Sequence, residues 1–365
     1  MNNQDHSRET TDGSTGFTRR AALRRAAAAG ALLSLSSLGV GIPASAEAAE
    51  GEKFGRFPKH PGWKFTFVNH VTTNPFFVPT RYGAEDACAL VGCSYQWTGS
   101  EKSIATEMVN AFDTAISAGA NGIACCLVDH VAFNAPTDKA LQAGIPVVSY
   151  NADTTGNNRL CYIGQDLFVS GKELGQRIVE LVPEGDVVGF IATPGQLNIQ
   201  PRLDGAKAAI KESGKNINLA EVATGPTLNE EVSAVEAYYT GHPDVKGMFA
   251  VDAGSTAAVA KTMGAHQLQS KGVHAGGFDL LPTTLDAISK GDLDFTIDQQ
   301  PYLQGFYTVM ALFLFNISGG LTGPADINTG LKFITKATVA SYLHTQSRYE
   351  GNSSEEKVLT RSGPI

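Results

Sequence analysis

Polar and aromatic side chains in this sequence collect directly behind its short apolar runs. His70, Asn74, Phe76 and Phe77 follow the run 64–69, and Trp97 and Thr98 end the next one. Asp129 follows the run 122–128, and Asn151 and Asp153 follow 146–150. In the second half Gln196 and Arg202 follow 186–192, Asp252 follows 245–251, and Phe278 is followed at once by Asp279. Asp298, Gln299 and Gln300 follow a short run at Phe295. Amides, carboxylates and a guanidinium share hydrogen bonds with paired hydroxyls, and flat rings cover C–H faces. This set suits recognition of a small polyhydroxylated molecule. Each residue also has a local role open to it: Asn74, Asp252 and Asp279 as helix caps, Phe76 and Phe77 as core, Arg202 as a solvated first-turn residue, and His70 as a satisfied buried group. It is the recurrence behind run after run that favours a site.

Signatures of catalysis and of cofactors are missing from the sequence. It has no GxGxxG, no GxxxxGK[ST], no GxSxG elbow, no HExxH and no EF-hand loop. Nothing in it calls for a cofactor or a metal. The five cysteines, Cys88, Cys93, Cys125, Cys126 and Cys161, contain no CxxC, and an odd count leaves at least one unpaired. Cys88 and Cys93 stand where a helix returns to a strand and could meet there. The other three read as small buried residues beside strands.

The elements that must place these groups alternate regularly. Strand-like runs are expected at 64–69, 94–97, 122–128, 146–150, 160–164, 186–192, 218–224, 245–251, 273–278 and near 295. Helical patterns lie between them, at 74–90, 103–118, 132–143, 169–182, 202–213, 230–239, 255–263 and 283–289. Continuous apolar runs without alternation are typical of buried parallel strands. Alternating βαβ units imply parallel sheets with helices on both faces. Ten strands are more economically placed in two doubly wound sheets than in one. In such sheets ligands bind beyond the carboxyl ends of the strands, which is where the polar groups collect.

With 365 residues, 42% of them hydrophobic and 18% charged, the chain is long enough for two domains. The opening residues read as an export signal. Arg19 and Arg20 precede an alanine-rich apolar stretch, 26–42, that is short for a membrane span and ends in Ala44-Ser45-Ala46. The paired arginines suggest the twin-arginine route, an extracytoplasmic location and a signal of residues 1–46. The whole chain carries −8; without 1–46 it carries about −10, since five basic and three acidic residues go. That balance argues against nucleic acid and anionic membrane as partners. The apolar run 310–317 has the length of a buried helix.

Seven short motifs, in this order, resemble one family. They are Asn74-Pro75-Phe76-Phe77; Ala143-Gly144-Ile145-Pro146-Val147-Val148 leading to Asn151; Ile163-Gly164-Gln165-Asp166; Arg202-Leu203-Asp204-Gly205; His242-Pro243-Asp244-Val245 before Phe249-Ala250 and Asp252; Gly277-Phe278-Asp279; and Thr296-Ile297-Asp298-Gln299-Gln300-Pro301. From about 64 to 342 the chain resembles the periplasmic sugar-binding proteins of the ribose-binding type, which serve ABC importers. The resemblance implies an α/β fold, with two doubly wound parallel-sheet lobes joined by a multi-strand hinge (periplasmic binding protein type I). It implies an N-terminal lobe of 62–164 plus 299–324, a C-terminal lobe of 165–298 plus 325–345, and a polar tail at 346–365. It also implies sugar contacts from Asn74, Phe76, Phe77, Asn151, Arg202, Asp252, Phe278, Asp279 and the hinge residue Gln299. His70, Trp97 and Asp153 join them from the residue reading. Asn151-Ala152, Asp252 and His70 depart from the pattern of ribose binders, and these departures leave the sugar or polyol class intact. The expected activity is capture by hinge closure and delivery to an ABC importer permease, by a monomer that is not an enzyme. A sensory ligand-binding component and a secreted sugar-acting enzyme are the alternatives.

Overall fold

The structure, a computed structural model, describes residues 57–343; the expected signal at 1–46 and the tail at 346–365 lie outside the described residues. The first half runs β1 (Lys64–Asn69), α1 (Val78–Val91), β2 (Ser94–Gly99), α2 (Ala105–Ser117), β3 (Gly122–Cys125), α3 (Asn134–Gln142), β4 (Val147–Tyr150) and β5 (Tyr162–Gly164). The second runs α4 (Leu167–Leu181), β6 (Gly185–Ile191), α5 (Gln200–Ser213), β7 (Ile217–Ala223), α6 (Leu228–Gly241), β8 (Gly247–Ala250), α7 (Ala253–His266), β9 (His274–Phe278), α8 (Pro282–Lys290) and β10 (Phe295–Asp298). Then come α9 (Pro301–Ser318), β11 (Asp326–Asn328), β12 (Lys332–Thr335) and α10 (Ala340–Leu343).

The strands form two six-stranded sheets, ordered β11-β5-β4-β3-β1-β2 and β12-β10-β9-β8-β6-β7. The first sheet is parallel throughout. In the second, only β12 runs antiparallel, against β10. The central strands are buried along their length, as expected of parallel strands covered on both faces. Local chemistry sets the helix ends. Asp166 caps α4 by accepting from Val169 N at 2.9 Å, and Thr227 with Glu230 forms a capping box on α6. Gly92, at φ 67°, closes α1 in the left-handed conformation. The apolar run 310–317 belongs to α9, which covers the first sheet at β3 and β4. Among the described residues no helix is long and apolar enough to cross a membrane.

The chain crosses between the sheets three times, after β5, β10 and β11. Side chains tie the crossings together: Gln165 Nε2 donates to Gly330 O at 3.1 Å, and Thr329 Oγ1 donates to Gln299 O at 2.8 Å. The sequence places residues 325–345 with the second lobe; β11 pairs with β5 in the first sheet, so the last crossing between the sheets falls at 329–331. β11 and β12 were not expected as strands. Their sequences, Asp-Ile-Asn and Lys-Phe-Ile-Thr, are too short to carry a pattern, and they become strands because the crossing chain meets an open sheet edge. The thiols of Cys88 and Cys93 do not join: Cys93 N donates to Cys88 O at 2.9 Å, but all five cysteines are free.

Candidate functional site

The site is built where the carboxyl ends of the two sheets face each other. On the first lobe it begins as an aromatic wall. Phe77 packs edge-on against Phe76, with centroids 4.7 Å apart, and against His70 at 5.2 Å, and it tilts toward Trp97 at 5.7 Å. The turn that presents the two phenylalanines is a short 3₁₀ segment, Pro75–Phe77. Asn74 caps it, accepting from Phe76 N at 2.9 Å, so the Oδ1 of Asn74 has a structural role. Trp97 is fixed by its Nε1–H, which donates to Thr72 O at 3.1 Å.

On the second lobe the centre is Arg202, at 2% exposure. It stands in the first turn of α5, and its guanidinium lies 4.2 Å over the Phe278 ring. Nη1 donates to Val251 O at 2.9 Å and Nη2 to Gln165 Oε1 at 3.4 Å, while Nε has no partner among the described residues. Burial pulls its pKa down, and the charges of Asp279 and Asp252 partly restore it. The solvated-surface alternative for Arg202 is therefore ruled out by its place in the fold.

A chain of polar contacts links the lobes. Asn151 Nδ2 donates to Gln304 Oε1 at 3.3 Å, Gln304 Nε2 to Gln299 Oε1 at 3.1 Å, and Gln299 Nε2 to Asp279 Oδ1 at 2.7 Å. All four side chains are buried. Asn151 and Asp279 hold left-handed backbones, at φ 63° and 75°, which turn their side chains sharply out of β4 and β9. Asp279 is not a helix cap; α8 starts three residues later with Leu281 at its cap. Burial pushes the Asp279 carboxyl up to about 7, against the pull of Arg202 and Gln299.

Asp252 does cap α7, accepting from Ser255 N at 2.8 Å, and also accepts from Ala192 N at 3.0 Å. Behind it stands Glu231, pushed up to about 9 by burial and by the neighbouring Asp252 charge. Asp153 is held within the first lobe. Arg159 grips both of its oxygens, Arg159 Nε donating at 2.8 Å, and Ser149 Oγ donates to it at 2.7 Å. It lines a cavity of about 520 Å³ beside the hinge, with Tyr162, Gln165, Leu197 and Asp326; Gln165 connects this cavity to Arg202. Asp129 caps its own turn through Val131 N and Ala132 N.

His70 lies between the lobes, its Nε2 3.1 Å from Asn198 Nδ2. Burial pushes its imidazole down to about 4, so the ring is neutral. The folded protein then binds fewer protons than the unfolded chain between about pH 6.5 and 4. The stability contributed by this site is full above pH 6.5 and is lost as pH falls toward 4. Asp279 acts the other way, because its raised pKa costs stability as pH rises from about 4 to about 7. Comparison with His70→Gln isolates the histidine. Between pH 6.5 and 4 the wild type should lose up to about 3 kcal/mol relative to the variant, read from urea midpoints; parallel curves would contradict a buried neutral ring.

Several participants carry no local signal in the sequence. Gln304 is a fully buried amide in the first turns of an apolar helix, and Glu231 is an acid on the buried face of α6, in line with Val235 and Tyr239. Ser103 and Asn198 meet the opposite lobe from loops. Among the described residues no cluster of His, Cys, Asp and Glu could hold a metal.

A sequence model described as a periplasmic binding protein domain matches residues 65–315. The xylose/arabinose-binding protein XylF of Sulfolobus acidocaldarius is 51% identical over 337 residues, 88% of this chain and 82% of that protein. The ribose import binding protein RbsB of Escherichia coli is 25% identical over 229 residues, covering 62% of this chain and 76% of that one. Among solved structures, a solute-binding protein of an ABC transporter from Burkholderia graminis, in complex with D-arabinose, is 27% identical with a TM-score of 0.73, over 78% of this chain and 99% of its own.

Proposed function

This chain belongs to the periplasmic binding protein domain family, and from that premise we propose that it captures an aldopentose, xylose or arabinose, and hands it to the permease of an ABC importer. It is a sugar-binding protein, as the relative with 51% identity is. The observation that carries the reading is the chain Asn151–Gln304–Gln299–Asp279, which runs from one lobe to the other beside a buried arginine stacked on Phe278. Amide and carboxylate groups set against a guanidinium can each serve a ring hydroxyl, and the aromatic wall can cover the apolar face of the sugar. The family points to an extracytoplasmic location. The sequence of the first 46 residues supports export by the twin-arginine route, and the absence of a catalytic motif supports binding without turnover.

Closure follows from the same contacts. Groups from both lobes meet the ligand only when the lobes are together, and this difference in contact is what shifts the population. The test is a thermal melt of residues 47–365 with D-xylose, L-arabinose, ribose, hexoses and polyols. Xylose or arabinose at a hundred times its Kd should stabilise the protein by about 2.7 kcal/mol, raising the midpoint, with ribose weaker. If pentoses leave the midpoint unmoved in protein freed of any carried ligand, the pentose assignment fails.

A further inference from the structure

The loop 193–198 of the second lobe is seated on the first lobe. Gln196 is fully engaged there. Ser103 Oγ donates to its Oε1 at 2.5 Å, Thr193 Oγ1 donates to the same oxygen at 2.8 Å, and its own Nε2 donates to Ser103 O at 2.7 Å. Leu197 N donates to Val128 O at 3.0 Å. Asn198 differs from both. It contacts His70 across the lobes, and both residues are more than nine-tenths buried, at 8% and 6% exposure. Yet Asn198 Oδ1 and His70 Nδ1 have no hydrogen-bond partner among the described residues. Buried polar groups are normally paired, and leaving them unpaired is costly.

What the pair has left to offer does not depend on how the amide is turned. If Asn198 Nδ2 donates to His70 Nε2, the neutral imidazole carries its proton on Nδ1. His70 then presents a donor and Asn198 Oδ1 an acceptor. If the amide is turned over, His70 Nε2–H donates to Oδ1. His70 Nδ1 is then the acceptor and the Asn198 amide the donor. Either way one donor and one acceptor remain, one from each lobe. A hydroxyl, which donates once and accepts, is the group that matches both. The neutrality of the buried ring preserves the match, since an imidazolium would offer two donors.

We propose that His70 and Asn198 together read one hydroxyl of the bound sugar, and that the closed state is fully satisfied only over a ligand carrying a hydroxyl there. This rests on the sugar-binding reading above and adds a specificity element to it, with Asn198 as a ligand contact. Gln196 and Leu197 seat the loop, and Asn198 discriminates.

The experiment is titration calorimetry of the wild type, Asn198→Ala and Gln196→Ala against the pentose that the wild type binds and each of its monodeoxy analogues. Asn198→Ala should weaken the parent pentose by roughly tenfold to a hundredfold. For one analogue, the one lacking the hydroxyl that is read, wild type and Asn198→Ala should bind equally. His70→Gln should pick out the same analogue. Gln196→Ala should lose affinity by a constant factor across the series, as expected of a latch. Two results overturn the proposal alone: no loss with Asn198→Ala on the parent sugar, or the same loss on every analogue. Failure of the wild type to bind any pentose overturns the sugar assignment and this proposal with it.

Discussion

Arg202→Ala is expected to weaken sugar binding by about a hundredfold or more, equivalent to about 3 kcal/mol. The side chain is buried, and its guanidinium is shared among Val251 O, Gln165 Oε1 and the Phe278 ring. Removing it leaves two acceptors without their donor and takes away the positive charge that offsets the burial of Asp279. A buried acceptor left unpaired costs about 1–3 kcal/mol, and a charged one more. The Asp279 carboxyl, already at about 7, would rise further and lose its charge near neutral pH. Its bond from Gln299, and with it the interlobe chain, would weaken. Arg202→Lys should recover only part of the loss, because a point charge cannot bond Val251 and Gln165 and stack on Phe278 together. Calorimetry reads the affinity, and a melt of each unliganded variant shows that it is folded. Wild-type affinity in a folded Arg202→Ala protein would remove Arg202 from the site.

The second large effect concerns stability. α1 and α9 cross so closely that glycine is required on both sides. A Cβ on Gly305 would lie 1.8 Å from Thr80 O, and one on Gly83 would lie 2.0 Å from Tyr302 O. These obstacles are backbone atoms, which cannot swing aside as a side chain could. Gly305→Ala must therefore push the two helices apart and open the packing beneath them, where Val309, Leu312 and Phe313 are buried against the first sheet. A loss of at least about 3 kcal/mol is expected, at the large end for a single substitution. Gly241→Ala, at an exposed helix end with nothing within 4 Å, is the control and should be neutral or slightly stabilising. Urea unfolding of both variants checks this. A Gly305→Ala protein as stable as Gly241→Ala would mean that the helices are free to separate. Because α9 also carries Gln304, loss of this crossing should impair sugar binding as well.

Most of the frame was legible from residues alone. Apolar runs such as 122–128 and 146–150, bounded by turn residues, read as strands buried on both faces, and their alternation with helical patterns implies parallel sheets. Because ligands sit beyond strand ends in open α/β sheets, the sequence positions of Phe77, Trp97, Asn151, Arg202, Phe278 and Asp279 suffice to put them at carboxyl ends of strands. Composition, the lack of catalytic motifs and the ordered short motifs pointed to a binder of sugars. These features are local: they depend on a residue's neighbours within one element.

The tertiary structure decided what depends on segments far apart in the chain. Whether Asp252 caps a helix and Asp279 does not is set by where the next helix starts, three residues on in one case and at once in the other. The partner of Asp153 is Arg159, six residues on beyond a loop. The partners of His70, Ser103 and Asn151 are Asn198, Gln196 and Gln304, and no periodicity announces such pairs. β11 and β12 exist because the last crossing passes two open sheet edges. A hydrophobic pattern records which face of an element is buried. Which polar group meets which across a closed cleft is fixed only when two lobes are brought together, because the free energy of those bonds belongs to the pair and not to either segment.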